Sequence, residues 1–298
     1  MIMDCPHCRK EYYILNETLD KDALKDLKDQ IDAEDDPILK QQLQSKRDIL
    51  KAEIGLESSI TKSLSRSKAQ LIRTVKEVLK GGRGEYLLAL SPADLKSFLL
   101  RNGLADAVSD FETSQLNITN YINEMVRAYE PQFNINTSPI LTSILGRTSQ
   151  SLFDDLIISQ TTRSLKDAVY NSSLVGADVA IKQMQDELDS STSKQVSEAR
   201  TKISQYSRTV VSEAAQIAGL EYYIYTGPKD TITRPFCRDL VGKVLSADQI
   251  KKLGNGSSLI SGGGYNCRHS WSPISKAYLK VKNIEPISDE EIKRINKL

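Results

Sequence analysis

From Asp20 onward apolar residues recur every three or four positions: Leu24, Leu27 and Ile31, then, beyond the polar break AEDDP, Leu39, Leu43, Leu50 and Ile54. This spacing predicts a short helix followed by a long one. Asp36-Pro37 supplies the N-terminal punctuation expected of the second. The series continues in phase through Ile60, Leu64, Leu71, Val75 and Val78, so the long helix is expected to exceed about 40 residues, or about 60 Å at 1.5 Å per residue. Charged positions between the apolar ones favour a coiled-coil-like seam, in an antiparallel bundle or a projecting arm. Upstream, Cys5-Pro6-His7-Cys8 reads as a compact knuckle, with Tyr12, Tyr13 and Ile14 as a short strand.

GGRG at 81–84 breaks the pattern, because three glycines in four positions strip helix propensity. Ser91-Pro92 and Ser138-Pro139 each set a capping hydroxyl before a first-turn proline, and Asn102-Gly103 is a stop signal. Helices are therefore expected near 92–101, 105–115, 119–130 and 139–172. Val179, Ile181, Met184 and Leu188 continue an apolar face, and Val196, Ile203, Val210, Val211, Ala214 and Ile217 carry another helix to Gly219. After Gly219 the character changes to LEYYIYT, a β-rich aromatic run, and then to segments dense in glycine, proline and polar residues. In one of them Gly242 fits a tight turn, with Lys243-Val244-Leu245 as the returning strand.

The predicted fold is mainly α: an extended helical bundle or long helical hairpin, a small α+β C-terminal module and a short N-terminal Cys knuckle. The expected domains are a knuckle over 1–19, long charged helices over 20–80, a helical bundle over 85–219 and the α+β module with a basic tail over 220–298. At 298 residues the chain exceeds what one core fills. No apolar run approaches a membrane span or a signal peptide, so a soluble protein made in a cytoplasm, with no membrane partner, is expected. The formal net charge of +1 conceals an uneven distribution. Residues 224–298 hold 13 basic against 7 acidic side chains, so this end is the one suited to an acidic partner, whether protein or DNA.

The most specific patterns lie in three ordered pieces: YSRTVVSEAAQIAGLE at 206–221, YYIYTGPKDTITRPFCRDLVGKVLS at 222–246 and GGGYNCRHSWSPIS at 262–275. Asp230, four residues before Arg234 in a turn-rich loop, is placed to bond backbone amides or that arginine and so fix the loop. The succession resembles the C-terminal module of tailed-phage minor head proteins, the Mu F-like head morphogenesis family. Arg208, Thr209, Gly227, Asp230, Thr233, Arg234, Cys237, Leu240, Gly242, Asn266, Cys267 and Arg268 occupy the positions of that family's pattern. The match covers about 70 to 80 residues. It departs from the family at Gly263-Gly264-Tyr265, where a Pro-Pro-x-His-type approach is usual, and at His269, where a second cysteine would stand. Cysteine and histidine are interchangeable as zinc ligands.

The resemblance implies a low-copy structural protein of the phage head, associated with the portal and with capsid or scaffolding protein. It would act in head assembly or in genome packaging and ejection, with the basic C-terminal segment facing acidic patches or DNA. A cytoplasmic coiled-coil adaptor with a zinc-stapled end, and an effector ejected with the genome, are alternatives. Cys237, Cys267 and His269 have the chemistry of part of a zinc site, and Cys5 and Cys8 are candidates to complete it. An enzyme is not expected. The chain has only two histidines, His7 and His269, neither beside a Gly-x-Ser-x-Gly elbow, and GGRGEY lacks the lysine of a phosphate-binding loop. The carboxylate pairs Asp154-Asp155 and Glu290-Glu291 are read as solvated helix faces.

Overall fold

The computed structural model describes residues 6–254, 258–262 and 267–297, with side chains from Asp20 onward apart from Thr137. It is mainly α-helical, with one small sheet near the C-terminus. The helices are α1 (Pro6–Ala33), α2 (Pro37–Lys80), α3 (Gly84–Leu88), α4 (Pro92–Leu99), α5 (Ala105–Arg127), α6 (Pro139–Gln150), α7 (Ser159–Val175) and α8 (Ala177–Ile217). The C-terminal portion runs β1 (Tyr222–Thr226), α9 (Pro235–Leu240), β2 (Val244–Ser246), α10 (Ala247–Lys251), β3 (Ser270–Ile274), α11 (Lys276–Lys282) and α12 (Asp289–Ile295).

Helix α2 is the 44-residue helix that the apolar periodicity predicts. Asp36 caps it, its carboxylate accepting from the Ile38 and Leu39 amides at 2.9 and 3.1 Å. At α4, Ser91 and Asp94 form a reciprocal capping box ahead of Pro92. The stop at Asn102-Gly103 appears as a kink, Gly103 taking φ +112 where only glycine is unstrained.

Three expectations are corrected. Residues 12–14 belong to α1 and not to a strand, since Tyr12, Leu15 and Leu19 lead in helical phase to the buried Ala23 and Leu27. The helices expected at 105–115 and 119–130 are one, α5: no glycine or proline separates them, and Thr119 returns its hydroxyl to the Gln115 carbonyl within the helix. The two apolar faces after Val179 likewise belong to the single 41-residue α8. No glycine or proline interrupts the polar stretch between them, where the Ser191 and Thr192 hydroxyls bond the Leu188 carbonyl.

The chain divides into two compact units that do not follow chain order: residues 1–54, 115–141 and 204–298 in one, 55–114 and 142–203 in the other. The second unit is all helical. Leu64, Leu71, Val75, Leu95, Leu99, Phe111, Leu152 and Leu165 are buried in it, and Phe111 meets Phe153 edge to face at 5.6 Å. The first unit holds the sheet, of order β2-β1-β3 and antiparallel throughout. Tyr225 of β1 lies opposite Trp271 of β3. Ile224, Val244, Ile274, Tyr278 and Leu279 form a core with Ile38, Leu39 and Tyr129 against it, and a second cluster joins Ala23, Leu27 and Leu50. β1 reaches β2 through α9 and a turn in which Lys243 bonds back to the Leu240 carbonyl, with Gly242 at φ +87 as the turn requires. No helix among the described residues is long and apolar enough to cross a membrane.

Candidate metal centre

Two pieces of the chain that are far apart in sequence meet at one buried point of the first unit. Pro235 starts α9, which presents Cys237 inward, while Cys267 and His269 precede β3. All three side chains are buried. The two Sγ atoms stand 3.7 Å apart with both thiols free, and Cys267 Sγ lies 3.6 Å from His269 Nδ1. The three donor atoms lie within 4.8 Å of one another, so the cluster can hold a metal ion.

Its surroundings fix each donor. His269 Nε2 lies 2.8 Å from the Pro228 carbonyl. A carbonyl can only accept, so Nε2 carries a proton and Nδ1 is turned towards the sulfurs, the arrangement by which outer partners orient metal-binding histidines. Gly227 makes room for this: a Cβ there would collide with the His269 ring. Arg208 of α8 reaches the loop from the other side. It donates to the Cys267 carbonyl and, at 3.4 and 3.3 Å, to the carbonyls of Ile260 and Ser261. Asp230 accepts a bidentate pair from Arg268 at 2.5 and 2.7 Å and a hydrogen bond from the Thr233 hydroxyl at 2.9 Å. Burial opposes ionisation of Asp230, but Arg268 and Thr233 outweigh it and hold the carboxyl below its usual range.

The sulfurs are electrostatically linked. Two thiolates this close in a buried site repel, so the hydrogen bond from Cys237 and the nearby His269 drive Cys267 towards the thiolate against the cost of burial. The same hydrogen bond, burial and the Cys267 charge push the Cys237 thiol up. Tyr225 of β1 completes the wall, its Oη 3.5 Å from each sulfur and its ring stacked on His269 at 5.4 Å. Burial and then the two cysteines raise its phenol well above the ordinary value. Behind the site Lys46 and Glu53 are buried on α2. Burial lowers Lys46 to about 8, with Glu53 opposing that shift.

Of the residues singled out from sequence, Arg208, Gly227, Asp230, Thr233, Cys237, Cys267, Arg268 and His269 are brought together here. Leu240 is the buried last residue of α9, Gly242 makes the turn into β2 and Arg234 precedes Pro235 as the α9 cap. The guanidinium that closes on Asp230 belongs to Arg268, 38 residues on. Thr209 bonds the Gln205 carbonyl of its own helix at an exposed position and takes no part. Cys5, Gly263, Gly264, Tyr265 and Asn266 lie outside the described residues, as does the side chain of Cys8. The carboxylates read as helix faces make ion pairs: Asp154 with Lys96 at 2.6 Å and Glu291 with Lys243 at 2.5 Å.

Sequence reasoning missed Tyr225, one tyrosine among several in an aromatic strand, and nothing local marks it. It also missed Lys46 and Glu53, which did leave a signal: they stand seven apart in phase with Leu39 and Ile60, on the buried stripe of α2. No protein-family model, curated protein or solved structure matches this chain.

Proposed function

We propose that this chain is a minor structural protein of a tailed-phage head, whose C-terminal module is a rigid docking piece built around a zinc ion at Cys237, Cys267 and His269. The observation that carries the structural reading is the mutual support among the residues of the Mu F-like pattern. Arg208 holds the Cys267 carbonyl, Arg268 holds Asp230, and Gly227 admits His269. These side chains are spent on one another and on backbone carbonyls, as groups that secure a loop-rich module are. Two sulfurs and an imidazole nitrogen are the donor set of structural zinc.

The portal, with capsid or scaffolding protein beside it, is the proposed partner. Contact with DNA is a weaker part of the reading. Within the basic segment Lys243, Lys251, Lys252, Arg268, Lys282 and Arg294 are already in ion pairs with carboxylates, which leaves fewer cations to exchange for phosphate counterions. The test is mass spectrometry of purified particles and of emptied heads. A few copies per particle, retained or lost with the genome, are expected. Absence from particles overturns the virion reading and leaves the adaptor.

A further inference from the structure

Three donors leave a tetrahedral ion one ligand short, and the geometry of the wall points to the fourth. We infer that Tyr225 is the fourth ligand, its phenolate closing a four-coordinate site with Cys237, Cys267 and His269. The inference rests on the metal reading above and names the one position that reading leaves open.

A tetrahedral zinc with bonds of about 2.3 Å to sulfur and about 2.0 Å to nitrogen or oxygen has edges of about 3.8 Å between sulfurs and about 3.5 Å from sulfur to either lighter donor. The observed separations are 3.7 Å between the sulfurs, 3.6 Å from Cys267 to His269, and 3.5 Å from the Tyr225 oxygen to each sulfur. The phenol oxygen thus lies at the separation from both sulfurs that a fourth tetrahedral ligand takes. Tyr225 is fully buried, and its place on β1 is set by pairing with both β2 and β3. No rotation of a flexible surface chain is needed to bring it in.

Charge agrees. Zinc with two thiolates, one phenolate and a neutral imidazole carries a net charge of −1. The Arg208 guanidinium sits directly behind Cys267 on backbone carbonyls, while Arg268 is matched by Asp230 and Lys46 lies near Glu53. One buried positive charge therefore faces one net negative charge. Loading replaces the phenol and thiol protons of Tyr225, Cys237 and Cys267 by the metal. A closed site of this kind leaves no position for a water nucleophile, so its role is to staple α9 to β1 and β3.

The test uses the full chain purified without chelators. One zinc per chain is expected, with X-ray absorption showing two sulfurs and two lighter donors. Zinc added to the metal-free protein should raise a tyrosinate difference spectrum. In Tyr225→Phe that band should vanish and zinc affinity should fall at least about tenfold, while the circular dichroism of the helices is unchanged. Three or four sulfurs at the metal would assign the remaining positions to Cys5 and Cys8. Two sulfurs without a tyrosinate band would assign the fourth position to water. Either result overturns Tyr225 while keeping the metal. A protein that neither carries nor takes up zinc overturns the metal reading itself.

Discussion

The two units bury polar groups in different ways. In the all-helical unit backbone groups are satisfied chiefly by the helices, with Ser67 serving the Leu99 and Asn102 carbonyls at the kink, and the buried charged side chain is Lys68. Its ammonium is ringed by the Leu188 carbonyl, the Ser191 and Thr192 hydroxyls and the Gln195 amide oxygen, at 2.8 to 3.1 Å. In the sheet-bearing unit the backbone is irregular, and side chains must satisfy it. Arg208 serves three carbonyls, and Gln42 serves the carbonyls of Met125 and Pro273. Helical periodicity needs apolar residues of roughly the right size, whereas an irregular loop needs particular partners at particular places. This is why the specific sequence pattern concentrates in one unit.

The sharpest way to break this contrast is Asp230→Ala. It takes the bidentate carboxylate away from a half-buried Arg268, and a loss of about 3–5 kcal/mol is expected in chemical denaturation followed by near-ultraviolet dichroism. A loss under about 1 kcal/mol would mean that the loop does not depend on its polar partners.

Lys68→Met should cost less, within about 2 kcal/mol, because the hydrogen-bond partners of the amine are neutral oxygens. Its pH dependence sharpens the comparison. Burial lowers the Lys68 pKa to about 7 from 10.5, with Asp189 partly offsetting it. The unfolded chain then binds more protons than the folded one between those values, so the amine becomes easier to bury as pH rises. Wild-type stability measured relative to the variant should increase from about pH 7 towards 10. A flat difference across that window would show that the cage keeps Lys68 charged.

The smallest effect is expected at the Arg66–Asp106 pair of the same unit, 3.1 Å long with both side chains more than half exposed. Asp106→Ala should shift stability by no more than about 0.5 kcal/mol, and by less at high salt. A larger change would show that surface charge matters in this unit as much as buried pairing does in the other.

Much of the fold was legible because its causes are local. The length of α2, the Asp36 and Ser91 caps, the kink at Gly103 and the turn at Gly242 each follow from residues within a few positions of one another. The errors were also local: the expected helices 105–115 and 119–130, and the apolar faces ending at Leu188 and starting at Val196, were read as separate, yet no glycine or proline stands in either gap and α5 and α8 run through. At the Cys-Cys-His cluster the chemical types of Cys237, Cys267 and His269 were visible, as was the pattern holding Arg208, Gly227 and Asp230. Their pairings were not, since Asp230 meets Arg268 across 38 residues and Arg208 meets Cys267 across 59.

The sequence by itself determined the helical class, the place where helices give way to strands and the donor atoms available to a metal, because periodicity, capping and side-chain chemistry are properties of neighbouring residues. Tertiary structure alone decided that the chain divides into two units discontinuous in sequence, that Lys46 and Glu53 lie buried behind the centre, and that the Tyr225 phenol stands 3.5 Å from both sulfurs. Those facts depend on which distant segments pack together, and a contact between segments leaves no mark on the local spacing of either.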